Sequence, residues 1–381
     1  MPMPSPPVLL VRSPKSIVAG DNLPPNFNRA SLVHALIDAF HIPNLEIVAP
    51  EPATASDLAA YHTPAYTEAL LRVYDSDTVY ESPYNSDGME DDDEEFGLVD
   101  DCMRFFNLDQ YVRYTAGGTL KAAQVLVDGD ARVVLHWEGG RHHAGAGMAS
   151  GFCYVNDVVL GILRLQQRFS RILYVDLDLH HGDGVENAFA HSARVTTLSI
   201  HHCSPWFYPG TGTTLVDGKG RGVGRSINVP LEQGATDASF TLAFELVFES
   251  VFDLVRPDAV VVQCGCDGLS TDPIKKFNTT PVAYVNCLRR INSWGLPLMV
   301  LGGGGYSSTD SAICWTQVTA ALCGYNIPPE TDIPEHEFYT EYAPSYNMTI
   351  EASLQEDLNT EEQIREMAEE IRETLAELSA P

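Results

Sequence analysis

The sequence predicts a single layered α/β domain, and two observations carry that prediction. Short β-branched runs alternate with longer amphipathic ones, and ionisable residues gather where the short runs end. The short runs lie at 132–137, 171–176, 195–200, 259–264 and 296–301. They are rich in Val, Ile, Leu and Thr, as parallel strands buried on both faces are. Around them, 117–127, 155–169, 237–254 and 281–294 carry helical periodicity. Such alternation builds a sheet with helices on both faces. The 381 residues, 44% hydrophobic with 29 glycines, can bury a sizeable core. No internal repeat appears, and no linker is long enough to divide the chain.

Composition excludes several classes. No apolar run reaches the ~18 residues that span a bilayer. The first ten residues hold prolines and no early basic group, a poor signal peptide. The chain therefore reads as soluble and intracellular. The 8 cysteines show no CxxC pair, so buried free thiols are expected rather than a disulfide framework. With 23 basic and 52 acidic residues the formal charge is −29, a surface that repels nucleic acid and attracts cationic partners. Residues 75–95 read as a long acidic loop, with the unbroken run Glu90 to Glu95 at its end. At the far end, Thr360 and Gln363 form a capping box. Ile364, Met367, Ile371, Leu375 and Leu378 follow on one helical face, so 351–381 reads as an amphipathic helix docked on a domain of 1–350.

Chemistry concentrates at the carboxyl ends of the predicted strands, where open parallel sheets place ligands. The 171–176 strand runs into Asp176, Asp178, His180, His181 and Asp183. In an extended chain, alternation sends Asp176, Asp178 and His180 to one side. Three ionisable groups converging there are costly unless paired or bound to a cation. Asp267 follows the 259–264 strand. Alone it would be a turn residue; with Asp178 and His180 it makes a set of three ligands with a position left open, the arrangement of catalytic zinc. His142 and His143 follow Gly139 and Gly140 after the 132–137 strand. They read as a surface turn, as further metal ligands, or as the general base that metal-assisted hydrolysis requires. Asp176 and Asp183 are then available to orient them. Gly302 to Gly305, followed by Tyr306, lack the pattern of a phosphate loop. A backbone passing close to substrate, with a tyrosine hydroxyl beside it, suits an oxyanion stabiliser.

These segments together resemble the zinc-dependent histone deacetylases, class I in particular. The matching stretches are GGRHHA (139–144), ASGFCYVND (149–157), YVDLDLHHGDGVENAF (174–189), FYPGTG (207–212), QCGCDGL (263–269) and LGGGGY (301–306). Within class I the chain looks most like the histone deacetylase eight-like and fungal Hos-type enzymes. The resemblance implies an arginase-like three-layer α/β/α domain with a mainly parallel eight-stranded sheet, and an acetyl-lysine tunnel leading to zinc. It makes Asp178, His180 and Asp267 the metal ligands. His143 becomes the general base and His142 its neighbour, paired with Asp183 and Asp176 respectively. Tyr306 polarises the amide carbonyl. Phe152 and Tyr208 are tunnel walls, Gly151 is a backbone contact to the lysine chain, and Asp101 is a rim carboxylate. Arg29 lines an acetate exit channel. Ferrous iron is an alternative metal, and a potassium site is implied at the 176–180 loop with Ser199 and Ile200.

The implied substrates are acetylated lysines of histones or of cohesin-like proteins, in nucleus or cytoplasm, without an obligatory corepressor. Acetylpolyamine hydrolysis and a non-catalytic acetyl-lysine scaffold are the competing readings. Four departures bear on selectivity. Arg141 stands where the family usually has Trp or Leu and adds a cation at the tunnel rim. Tyr208 replaces Phe, Asp100 replaces Tyr, and residues 145–148 replace a lysine-rich stretch.

Overall fold

The computed structural model describes residues 6–73 and 93–378. Most of the predicted acidic loop lies outside them. At its end, Asp93 is buried rather than solvated, because the Arg104 Nε donates to its carboxylate at 2.9 Å.

Nine strands form one sheet in the order β2-β1-β3-β9-β8-β4-β5-β7-β6. They are β1 (Val8–Val11), β2 (Leu45–Val48), β3 (Val133–His136), β4 (Ile172–Asp176), β5 (Val195–His202), β6 (Val216–Asp217), β7 (Ser226–Leu231), β8 (Ala259–Gln263) and β9 (Leu298–Leu301). Eight pair in parallel, and the two-residue β6 adds an antiparallel edge to β7, so the expected eight-stranded sheet gains a ninth strand. The five expected strands are β3, β4, β5, β8 and β9. The others gave weaker signals: β2 is half-exposed along its length, and β7 carries Pro230.

Alternation along the central strands sorts side chains onto two cores. Val260 and Val262 of β8, with Leu298 and Val300 of β9, face the helices Arg29–Ala39, Asp237–Val255, Pro281–Asn292 and Ser308–Leu322. Ala259, Val261, Met299 and Leu301 face the opposite layer, built from Leu108–Asp128, Asp157–Leu165 and Asp183–Phe189. The result is a three-layer α/β/α domain. The Leu108–Asp128 helix begins nine residues before its apolar periodicity was expected to start, after Asn107 in the left-handed region (φ 64°).

The C-terminal stretch behaves as its pattern predicts, apart from its end. Thr360 Oγ1 accepts from the Gln363 amide at 3.2 Å, and Gln363 Oε1 accepts from the Thr360 amide at 3.0 Å. Ile364, Ala368, Ile371 and Leu375 of the Glu361–Leu378 helix are buried in the first core, whereas Leu378 is exposed. The preceding strap is tied down by Asp357, which accepts from the hydroxyls of Ser239 (2.6 Å) and Thr236 (2.8 Å) at the start of the 237–255 helix. Because Ile371 is fully buried, Ile371→Ala should lower the stability measured by urea unfolding by about 2–5 kcal/mol. A change below about 0.5 kcal/mol, the usual range for surface sites, would show that the helix is not part of the packed core.

Candidate active site

The four strands whose ends carry the chemistry, β3, β9, β8 and β4, are neighbours in the centre of the sheet. That adjacency brings together residues more than a hundred positions apart. β4 delivers Asp176, Asp178 and His180; β8 delivers Gln263 and Asp267; β3 leads to His142 and His143; β9 leads to the glycine run and Tyr306.

Asp178, His180 and Asp267 are buried, and each offers one ligand atom within 4.8 Å of the others. Simple alternation does not account for this grouping. The strand ends at Asp176, and the chain bends through 178–180, so Asp176 serves His142 while Asp178 and His180 turn to Asp267. His180 Nδ1 lies 2.8 Å from Asp267 Oδ2 and 3.2 Å from Asp178 Oδ1. Burial opposes ionisation of Asp178, yet the His142 charge and hydrogen bonds from His180 and Gln263 hold it well below the usual carboxylate range. Burial and the Asp178 charge instead raise Asp267 to about 6. Burial disfavours protonated His180, but hydrogen bonds to both carboxylates and their charges raise it to about 10. The pocket thus stabilises positive charge at the point where three N/O donors converge. A divalent cation meets that demand, and zinc suits the donor set.

The backbone around the carboxylates is fitted to them. Gly304 donates its amide to Asp178 Oδ2 at 2.8 Å, and a Cβ there would fall 2.3 Å from Asp267 Oδ2. Only glycine lets the loop pass this close. Gln263 donates to Asp178 Oδ2 at 2.7 Å and accepts from Gly265 at 2.8 Å, while Leu179 donates to Asp267 Oδ1 at 2.9 Å. Gln263 was not singled out from the sequence, although a polar residue closing the run Ala-Val-Val-Val-Gln is a readable signal. The Phe207 ring stacks on His180 at 5.0 Å and 8°, and it too was not anticipated.

The two histidines stand side by side, ring centroids 3.9 Å apart. His142 Nδ1 is 2.8 Å from Asp176 Oδ2, and His143 Nδ1 is 2.7 Å from Asp183 Oδ1. Asp176 also accepts from the Tyr174 hydroxyl at 2.6 Å. Burial works against both imidazolium forms. For His142 the charges of Asp176 and Asp178 outweigh it and raise the group to about 9. For His143 burial and the neighbouring His142 charge prevail over Asp183 and lower it to about 4. Asp272, which was not predicted, accepts from the Tyr306 amide at 2.8 Å.

Aromatic rings border these groups. Phe152 packs edge-on against Tyr306 at 5.8 Å, and Tyr208 edge-on against His143 at 4.9 Å. The added hydroxyl of Tyr208 lies 2.5 Å from Ser150 Oγ. Gly151 adopts φ +53°, and a Cβ there would meet His143 Cδ2 at 2.6 Å and Tyr208 Oη at 2.7 Å. Asp101 is exposed on the 3₁₀ turn Asp100–Cys102, and its charge acts on Tyr208. Arg29 is buried behind the glycine run and donates to the carbonyls of Gly303 (3.0 Å) and Gly305 (2.8 Å).

Arg141 is not at the rim. Asp157 accepts from the backbone amides of Gly140 (2.9 Å) and Arg141 (2.8 Å), and this clamp sends the Arg141 side chain inward, where the residue is 5% exposed.

A buried Asp₂His cluster flanked by two acid-oriented imidazoles and a tyrosine suits a metal-dependent hydrolase. Comparison with known families matches residues 23–322 to the histone deacetylase domain. The chain belongs to the histone deacetylase family. It is 41% identical to histone deacetylase 8 of Danio rerio over 371 residues, covering 97% of this chain and 95% of that one. Against histone deacetylase 8 of Xenopus laevis the identity is 43% over 86% of this chain and 98% of the relative. Against histone deacetylase RPD3 of Saccharomyces cerevisiae it is 37% over 90% and 77%. These similarities place it with class I. Among the described residues no helix is long and apolar enough to cross a membrane.

If these three residues form the metal site, Asp267→Ala should fall from about one equivalent of bound metal toward none by elemental analysis. Full retention of metal in a folded variant would refute the ligand role.

Proposed function

We propose that the chain is a protein lysine deacetylase that hydrolyses N6-acetyl-lysine to lysine and acetate, with zinc held by Asp178, His180 and Asp267. The observation that supports it most is the pair of adjacent imidazoles, His142 and His143, each held on Nδ1 by its own aspartate beside the metal-ligand cluster. Ferrous iron would be accepted by the same N/O donors.

When bound, a divalent cation supplies Lewis acidity to the acetyl carbonyl and acidifies a water. The chain's own groups do the rest. Asp183, held ionised by the His143 hydrogen bond against its burial, takes the Nδ1 proton of His143 as a hydrogen bond. That leaves Nε2 bare, and a neutral imidazole is a competent base. His143 accepts the proton of the attacking water. His142, whose Nδ1 is held by Asp176 at 2.8 Å, supplies the proton that the leaving lysine amine needs. Burial and the charges of Asp267 and Asp178 keep the Tyr306 hydroxyl protonated, so it donates to the carbonyl oxygen as negative charge develops there. Phe152 and Tyr208 enclose the lysine methylenes, with Gly151 leaving them room. Asp101 accepts from the substrate backbone at the rim.

A cationic protein segment suits the net charge of −29. Histone tails and cohesin-like proteins, in nucleus or cytoplasm, are the substrates this reading favours, without an obligatory corepressor. A potassium ion at the 176–180 loop with Ser199 and Ile200 belongs to the same reading.

Zinc-loaded chain should deacetylate an acetyl-lysine peptide, and His143→Ala should lower kcat/KM by about 10²–10⁴. Turnover of acetylpolyamine alone would replace the protein substrate with a small amine. No turnover of either with metal bound would leave a scaffold.

A further inference from the structure

The loops bordering the active site hold four non-glycine residues in left-handed backbone: Asp100 (φ 51°), Phe152 (φ 62°), Trp206 (φ 69°) and Lys275 (φ 53°). Such backbone is costly for an L side chain, and it gathers where ligands bind. Phe152 has its place against Tyr306. Lys275 has no such contact; it is exposed, and the adjacent Lys276 is half-buried. Among the described residues neither lysine has a carboxylate within ion-pair distance. In a chain with 52 acidic and 23 basic residues, two unpaired cations at this position ask for a partner.

The lysine pair is fastened to the site from two sides. Its loop opens at Asp272, whose carboxylate accepts from the Tyr306 amide at 2.8 Å and the Ile274 amide at 2.9 Å. The Asp272 carbonyl accepts from the Lys275 amide at 3.1 Å. On the other side, the Lys276 ammonium stands 5.7 Å from the centre of the Phe207 ring, which stacks on His180. The backbone is held as well. The Lys276 carbonyl accepts from the Gly234 amide at 2.7 Å, and Gln355 Nε2 reaches both lysine carbonyls at 3.4 Å. Asp272, the loop's own acid, is engaged by amides and leaves the two ammoniums to solvent.

Charges of both signs therefore border the site on separate loops. Asp100 and Asp101 are exposed on the 100–102 turn, and the Asp101 charge acts on Tyr208. Lys275 and Lys276 stand on the 272–276 loop beside Phe207. A peptide that inserts its acetyl-lysine between Phe152 and Tyr208 lays one flank past the lysines. Resting on the deacetylase reading above, we propose that Lys275 and Lys276 select substrates in which an Asp or Glu side chain flanks the acetyl-lysine on that side. The favoured substrate is then acidic on one flank and basic toward Asp100 and Asp101, rather than basic throughout. At physiological salt the screening length is about 8 Å. A flanking carboxylate there responds to these two ammoniums more than to the distant acids behind the net charge.

The test varies one acetyl-lysine peptide at the positions on either side of the acetyl-lysine, placing Glu, Gln or Lys there in turn. Zinc-loaded wild type at physiological salt should favour Glu over Gln on one side by about two- to fivefold in kcat/KM, the range of an exposed ion pair. The gain should lie in KM, because the contact is the same in ground and transition states. Lys275→Gln/Lys276→Gln should bring the ratio to one, and Lys275→Glu/Lys276→Glu should make Lys the favoured neighbour. Equal rates for Glu and Gln at every position, or a Glu preference that survives the double Gln variant, would overturn the proposal. The Gln peptide reports on the deacetylase reading separately. If it is inert, fluorescence anisotropy of labelled Glu and Gln peptides on zinc-loaded wild type and the double Gln variant decides the lysine site by the same ratio.

Discussion

The structure turns on two carboxylates, Asp178 and Asp267, buried within reach of one another and of His180. Like charges cannot share such a place without compensation, and the compensation accounts for much of the surrounding architecture. Gln263 and the Gly304 amide bind one carboxylate, and the Leu179 amide binds the other. The parallel sheet makes this arrangement available, because β3, β9, β8 and β4 end side by side. Glycine at 304 lets the β9 loop approach the acids at hydrogen-bond distance.

From that charge cluster follows a difference between the two histidines. The two rings are neighbours and each has an aspartate on Nδ1, yet they differ in proton affinity. His142 lies nearer the Asp178 charge, with Nε2 3.8 Å from Asp178 Oδ1, whereas His143 feels the His142 cation. In the proposed mechanism one ring would serve as proton donor and the other as proton acceptor within a single ring contact. Behind them, Arg29 holds the glycine run by its Gly303 and Gly305 carbonyls.

The parts of this arrangement that could be read in the sequence are those in which a polar residue breaks an apolar strand pattern. Asp176, Asp178, His180 and Asp267 each follow a run of β-branched residues, and the family resemblance gave roles to His142, His143 and Tyr306. Strands β1, β2, β6 and β7 escaped notice because two lie toward the sheet edge, one has only two residues, and β7 contains a proline. Gln263 acts through a hydrogen bond that only the folded register reveals. The direction of Arg141 was misread for a similar reason. Nothing in the local sequence says that Asp157 clamps the backbone and sends the guanidinium inward.

The central claim is that two aspartates and one histidine hold the metal, with neither of the nearby thiols Cys153 and Cys266 among its ligands. X-ray absorption at the zinc edge of the purified chain tests this most directly. A first shell of nitrogen and oxygen alone at about 2.0–2.2 Å is the expected result. A sulfur scatterer at about 2.3 Å would contradict it.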